Sequence, residues 1–245
     1  MTSTRLYSSD FDTPHIAVVP LGSWEQHGPH LPLDTDTIIA STLCARALDE
    51  IDDRRVLMLA SVNYSASDEH RGFAGTSSIG DETAERSFTL IARSLSENTP
   101  HLRGVLFVNG HGGNVSSMNA SSSALTHHVV PHVFWTPTFA NDGDLHAGHV
   151  ETSVMLAIDP TYVRDEHTTT GAVGDARDII TQMRHHGVKA VSPSGVIGDA
   201  TSANSAFGDE VLARWTADLV VQLRDVITTW LGDAPGDGRT TAAQR

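Results

Sequence analysis

The sequence predicts an α/β fold of three layers, α/β/α, with a mainly parallel sheet at its centre. Two observations predict it. Short apolar runs that suit buried strands alternate down the chain with stretches whose apolar residues recur at helical spacing. The 245 residues also lie within what one hydrophobic core can support, so a single large domain is expected over residues 1–231.

The first apolar run, IAVVPLG at 16–22, ends in glycine and reads as a buried strand. Residues 37–51 follow a proline-punctuated polar loop and place Ile38, Ile39, Leu43, Ala47, Leu48 and Ile51 on one helical stripe. Residues 56–62, 105–108 and 133–136 read as further strands, and 82–95 and 115–127 as the helices between them. A strand–helix–strand unit closes with a right-handed crossover, and repeated units cover both faces of a parallel sheet. Residues 153–158 predict a short helix. Residues 209–230 predict a long one, with Val211, Leu212, Trp215, Leu219, Leu223, Val226 and Trp230 on its apolar side. The stretch SPSGVIGDATSANSAFG at 192–208 is too poor in large apolar residues for a core segment and reads as a surface loop. From Gly232 on, GDAPGDGRTTAAQR has the composition of a disordered tail, 232–245.

A formal net charge of -14 excludes a nucleic acid or an anionic membrane surface as the natural partner, because phosphate backbones are bound by basic surfaces. No apolar run reaches the length that crosses a bilayer, and residues 1–12 are polar, without the apolar core of a secretion signal. The single cysteine, Cys44, sits in an apolar helical pattern as a small buried hydrophobe; a reducing cytoplasm is the expected location. The chain has 14 histidines, and His27, His30, His111, His146 and His149 fall in short glycine-rich stretches, away from apolar helix faces. Imidazole there suits metal ligation or proton transfer. His127, His128, His185 and His186 read as surface residues.

Three stretches carry the chemistry. In GSWEQHGPHLPLDTD, 22–36, Glu25 and His27 are two residues apart, which in extended backbone turns both to one side, and Asp36 follows at the mouth of the next helix. Taken singly, Asp36 fits a helix N-cap and the other two fit solvated loop positions. Together, directly after a strand, they form a mixed carboxylate and imidazole set for a cation. In VLFVNGHGGN, 105–114, a buried strand runs straight into His111. Ligands of open parallel sheets bind beyond the carboxyl ends of strands, which is where His111 and the first trio both fall. In DLHAGHVETS, 144–153, His146 is a proton carrier or oxyanion partner. Glu151, in a first helical turn where a carboxylate also complements the dipole, is a further ligand or base. His149 reads as a loop residue. The chain has no HExxH, no GxSxG and no CxxC.

These three stretches resemble the signature motifs of the creatininase (creatinine amidohydrolase) family. The resemblance implies a creatininase-like domain with two divalent ions per subunit, drawn from zinc, iron(II) and manganese, whose pairing acidifies a bridging water into the nucleophile. It implies Glu25 and His111 on one ion, His27 on the other, Asp36 bridging them, Glu151 as the further ligand that completes the coordination of the second ion, and His146 as the catalytic histidine. It also implies a closed homo-oligomer, a hexamer in creatininase itself. The first motif, SASDEHRGFAGTSSIG at 65–80 and AVSPSGVIGD at 190–199 are most similar to the mycofactocin-system branch of the family. That branch implies a peptidase acting on a modified precursor peptide and releasing its cyclised C-terminal Val-Tyr remnant. One departure bears on substrate. Creatininase proper carries a glutamate where this chain has Gly113, which argues against creatinine. The competing reading is hydrolysis of a small cyclic amide or formamide, of the creatinine or formamidopyrimidine type; a non-catalytic metal-bound scaffold ranks below both.

Overall fold

The computed structural model describes residues 5–138 and 143–232. The predicted tail therefore lies, from residue 233 on, outside the described residues. The elements follow in the order β1 (His15–Leu21), α1 (Thr35–Ile51), β2 (Val56–Met58), α2 (Asp81–Asn98), β3 (Leu102–Asn109), α3 (Val115–His127) and β4 (His132–Trp135), then α4 (His149–Ile158), α5 (Ala176–His186), α6 (Val188–Val191) and α7 (Ser205–Leu231). Among the described residues the sheet has four strands in the order β2-β1-β3-β4, and every pairing is parallel.

Strand side chains alternate between the two faces, and the core divides accordingly. Val18, Leu106 and Val108 point to one face, where they meet Ile39, Leu43 and Cys44 of α1, Val154 and Met155 of α4, and Leu212, Trp215 and Leu219 of α7. Ala17, Val19, Val105 and Phe107 point to the other and meet Ala84, Phe88 and Ala92 of α2 with Met118 and Leu125 of α3. The sheet is thus covered on both sides, as a parallel sheet must be. Cys44 is fully buried in the first of these layers, and burial pushes its thiol well above the ordinary range. Among the described residues no helix is long and apolar enough to cross a membrane.

Several boundaries differ from expectation for local reasons. The second strand ends at Met58 rather than residue 62, although Val62 still bridges to Leu21. Helix α4 begins at His149, which is helical and not a loop residue, because Asp144 accepts from the backbone N–H groups of His149 and Val150 at 3.0 and 2.7 Å and caps the helix. Helix α7 begins at Ser205, four residues early, capped by Asn204. The stretch at 192–208 is not a surface loop throughout. Val196 and Ile197 are fully buried, and Ile197 bridges to His146 and Ala172, so two β-branched residues suffice to anchor it behind the site. His127, His128, His185 and His186 are exposed.

Candidate metal centre

The chain leaves β1 for β2 on one side and reaches β3 on the other, so the strand order reverses between β1 and β3. At such a point the loops beyond adjacent strand ends part and leave a crevice. Two glycines narrow it onto α1. A Cβ at Gly22 would collide with Thr37, and one at Gly110 with the carbonyl of Asp36, so only glycine lets both strand exits press against the first turn of α1. Asp36 is thereby held between residues 22–27 and His111.

Asp36 is 2% exposed and faces two imidazoles. Its Oδ1 lies 3.1 Å from His27 Nε2, its Oδ2 3.1 Å from His111 Nδ1, and Ser23 Oγ donates to Oδ2 at 2.6 Å. Each imidazole is oriented from behind by a backbone carbonyl, which can only accept. His27 Nδ1 donates to the Glu25 carbonyl at 3.1 Å, and His111 Nε2 donates to the Ala66 carbonyl at 2.7 Å. The nitrogen left on each neutral ring is a lone pair aimed at a carboxylate, an arrangement that repels unless a proton or a cation lies between. Glu25 sharpens the point. It is fully buried, with Oε1 3.2 Å from His70 Nε2, 3.3 Å from His111 Nδ1 and 3.8 Å from His146 Nδ1. Yet neither of its oxygens accepts a hydrogen bond from the described residues. A buried carboxylate without hydrogen bonds is costly, and a cation is the partner that removes the cost.

The electrostatics agree. Burial raises the Glu25 carboxyl to about 8, against the pull of His111 and His27. Burial would lower His27, but the charge and hydrogen bond of Asp36, with Glu151 and Glu25 behind it, lift the ring to about 9. His111 is raised well above its ordinary value in the same way by Glu25 and Asp36, overcoming its burial. Asp36, although buried, is held well below the usual carboxylate range by His27 and His111. Without a cation the centre keeps protons on His27 and His111, at the positions where cations would bind.

Glu151 is 7% exposed and accepts from the backbone N–H of Ala147 at 2.6 Å; burial lifts its carboxyl to about 7 while His27 pulls it down. Ala147 itself takes a left-handed φ of 51° while fully buried, a strained position between His146 and α4. His146 is kept neutral by burial and by the positive charge of His27. One donor atom from each of Glu25, His27 and Asp36 falls within 4.8 Å of the others, and the same holds for Glu25, Glu69 and His111 and for His27, His146 and Glu151.

The structure therefore brings Glu25, His27, Asp36, His111, His146 and Glu151 to one crevice. The backbone that does so at residues 22–26 is not a strand, and Gln26, between the two proposed ligands, also turns inward. Gln26 and His70 belong to the same cluster, and sequence reasoning did not assign them. The segment 65–80 leaves the second strand at the same sheet edge as the other motifs, which was the available signal. Glu69 stands 3.8 Å from His111 Nε2, and a side chain at position 113 would run into its carboxylate, so glycine there and Glu69 here occupy one space.

Residues 1–223 match the Creatininase family, described as creatinine amidohydrolase. The "Mycofactocin precursor peptide peptidase" of Mycolicibacterium smegmatis is 40% identical over 224 residues, covering 90% of this chain and 87% of that protein. A solved structure of creatinine amidohydrolase (creatininase) superposes with a TM-score of 0.70 at 21% identity, covering 90% of this chain and 92% of its own. A second, "Creatininase Mn", superposes at 0.67 and 20% identity over 86% and 90%. With the sheet order, the crevice and the sequence match in agreement, the chain belongs to the creatininase family and is a hydrolase of C–N bonds.

Proposed function

We propose that this chain is a metal-dependent peptidase that cleaves the modified mycofactocin precursor peptide and releases its cyclised C-terminal Val-Tyr remnant. The observation that carries the metal requirement is Glu25, fully buried, its oxygens accepting no hydrogen bond among the described residues and facing nitrogen atoms of three histidines. The substrate rests on the name of the 40% identical relative. The donor set is mixed imidazole and carboxylate, which suits zinc, iron(II) or manganese. Glu25 and His111 would hold one ion, His27 and Glu151 the other, with Asp36 reaching both through its two oxygens. Such a pair, when bound, supplies an activated water and polarises the amide carbonyl.

The chain's own residues do the rest. His146 Nε2 donates to the Gln26 carbonyl at 2.8 Å, so its Nδ1 opens toward Glu25 as a proton acceptor. From there it takes a proton from the attacking water and returns it to the leaving nitrogen as the C–N bond breaks. Burial of the whole cluster keeps bulk water from competing for these hydrogen bonds. By family resemblance the chain assembles as a closed homo-oligomer, which light scattering on the eluting protein will measure. The direct test incubates the metal-loaded protein with the modified precursor peptide and, separately, with creatinine and small formamides, and follows products by mass spectrometry. Release of the two-residue remnant from the peptide is expected; turnover of the small amides alone overturns the proposal.

A further inference from the structure

We infer that Gln26 is a positioning residue that holds His70 and His146 in one tautomer while turning opposite ends of the two rings to the centre, His70 as a hydrogen-bond donor and His146 as a proton acceptor. Gln26 is 5% exposed and its amide has a single possible orientation. The backbone N–H of Gly28 donates to Oε1 at 2.9 Å, and Nε2 donates to the Gly195 carbonyl at 3.2 Å; a backbone N–H cannot accept and a carbonyl cannot donate. The remaining amide hydrogen goes to His70 Nδ1 at 2.8 Å. That nitrogen must present a lone pair, so the neutral ring carries its hydrogen on Nε2, 3.2 Å from Glu25 Oε1.

His146 is fixed by the other half of the same residue. Its Nε2 lies 2.8 Å from the Gln26 carbonyl and must donate, which leaves a lone pair on Nδ1, 3.8 Å from the same Glu25 oxygen. The 3.2 Å approach of Gln26 Nε2 to His146 Nε2 then joins two donors and is no hydrogen bond. The two rings lie with centroids 4.4 Å apart. Although Glu25, His70 and His146 lie close enough to share a cation, His70 has no lone pair to give one.

Resting on the amide-hydrolase reading, the pair divides the work of one step. The water oxygen bonds to the carbonyl carbon, its proton moves to His146 Nδ1 and on to the nitrogen as the C–N bond breaks. His70 keeps its proton and donates through Nε2 to the oxygen on which negative charge develops. The test is 15N NMR of histidine-labelled, zinc-loaded full chain, wild type and Gln26→Glu. In the wild type both rings are expected to carry hydrogen on Nε2. In Gln26→Glu the carboxylate can only accept, so His70 moves its hydrogen to Nδ1, while His146, bound to an unchanged backbone carbonyl, stays as it was. Turnover of the variant is expected to fall about 10²-fold or more in kcat with KM little changed, as when an oxyanion donor is removed. A wild-type His70 protonated on Nδ1, a Gln26→Glu variant that keeps the wild-type tautomer, or a flipped tautomer with undiminished kcat each overturns the inference. Should the variant fail to fold, the wild-type spectrum decides alone, and because tautomers are read without substrate, loss of the hydrolase reading leaves that result standing.

Discussion

Asp36 meets His27 with one oxygen and His111 with the other, both at 3.1 Å, and Ser23 fixes the second oxygen at 2.6 Å. Among the described residues no other carboxylate spans both imidazoles this closely. Asp36→Ala is expected to lose both metals and all measurable turnover, with elemental analysis of the purified variant as the check; near wild-type metal content with activity retained defeats the assignment. Ser23→Ala removes only the orienting hydroxyl, so the expected loss is about 10- to 100-fold in metal affinity, measured by competition with a chromophoric chelator. The protons follow with a definite sign. His27, raised to about 9, and His111, raised well above its ordinary value, are charged at neutral pH without metal, and each must lose its proton to become a ligand. Metal uptake is therefore expected to release protons and to strengthen as pH rises toward 9; calorimetry in buffers of different ionisation enthalpy reads both, and uptake independent of pH contradicts the arrangement. At this scale the carboxylates and imidazoles that converge in the crevice were legible because they clustered just beyond apolar runs. Gln26 and His70 were not, because an amide acquires its role from a backbone N–H and a carbonyl that folding brings to it from residues 28 and 195.

Helices α4 and α7 show how the scaffold holds that geometry from behind. Glu151 projects from the first turn of α4, and one turn further along the same side Val154 and Met155 pack with Leu212, Trp215 and Leu219 of α7. Leu219 is fully buried, so Leu219→Ala leaves a cavity and is expected to cost about 2–5 kcal/mol. Urea unfolding monitored by circular dichroism measures it, with the activity of the folded fraction close to wild type because no ligand is moved directly. The long stripe of α7 was readable in sequence, as were the strands at 15–21 and 102–109, since burial on both faces leaves a continuous apolar run. Helix α5 went unassigned although Ala176, Ile179, Ile180 and Met183 recur at helical spacing; only Ala176 and Ile179 of its eleven residues are buried, and its start is set by a contact that folding makes, the side chain of Asp175 accepting from the backbone N–H groups of Arg177 and Asp178. The same holds for Val196 and Ile197, whose burial depends on bridges to residues far away in sequence.

For the whole molecule, the sheet order places the crevice at the one point where the strand connections reverse, and folding must carry Glu25, Asp36 and Glu151 into that crevice, all at most 7% exposed. Part of the cost is met by protons on the neighbouring histidines, but Glu25 still ends without a hydrogen bond from the described residues. A ligand that binds the native state alone stabilises it by RT ln(1 + [L]/Kd), about 2.7 kcal/mol per site when free ligand is a hundredfold above Kd. Two such sites give about 5 kcal/mol, and a domain of this length shifts by about 2–4 °C per kcal/mol, so metal at that concentration is expected to raise Tm by about 10–20 °C over chelator-treated protein. On the proposed arrangement, in which Asp36 would help to hold both ions, the Asp36→Ala variant should unfold at one temperature with or without metal. Differential scanning fluorimetry of both proteins, with chelator and with zinc, separates the cases. An equal zinc-dependent shift in wild type and variant means that the ions bind elsewhere, and the crevice between β1 and β3 then owes its buried carboxylates to something other than a metal pair.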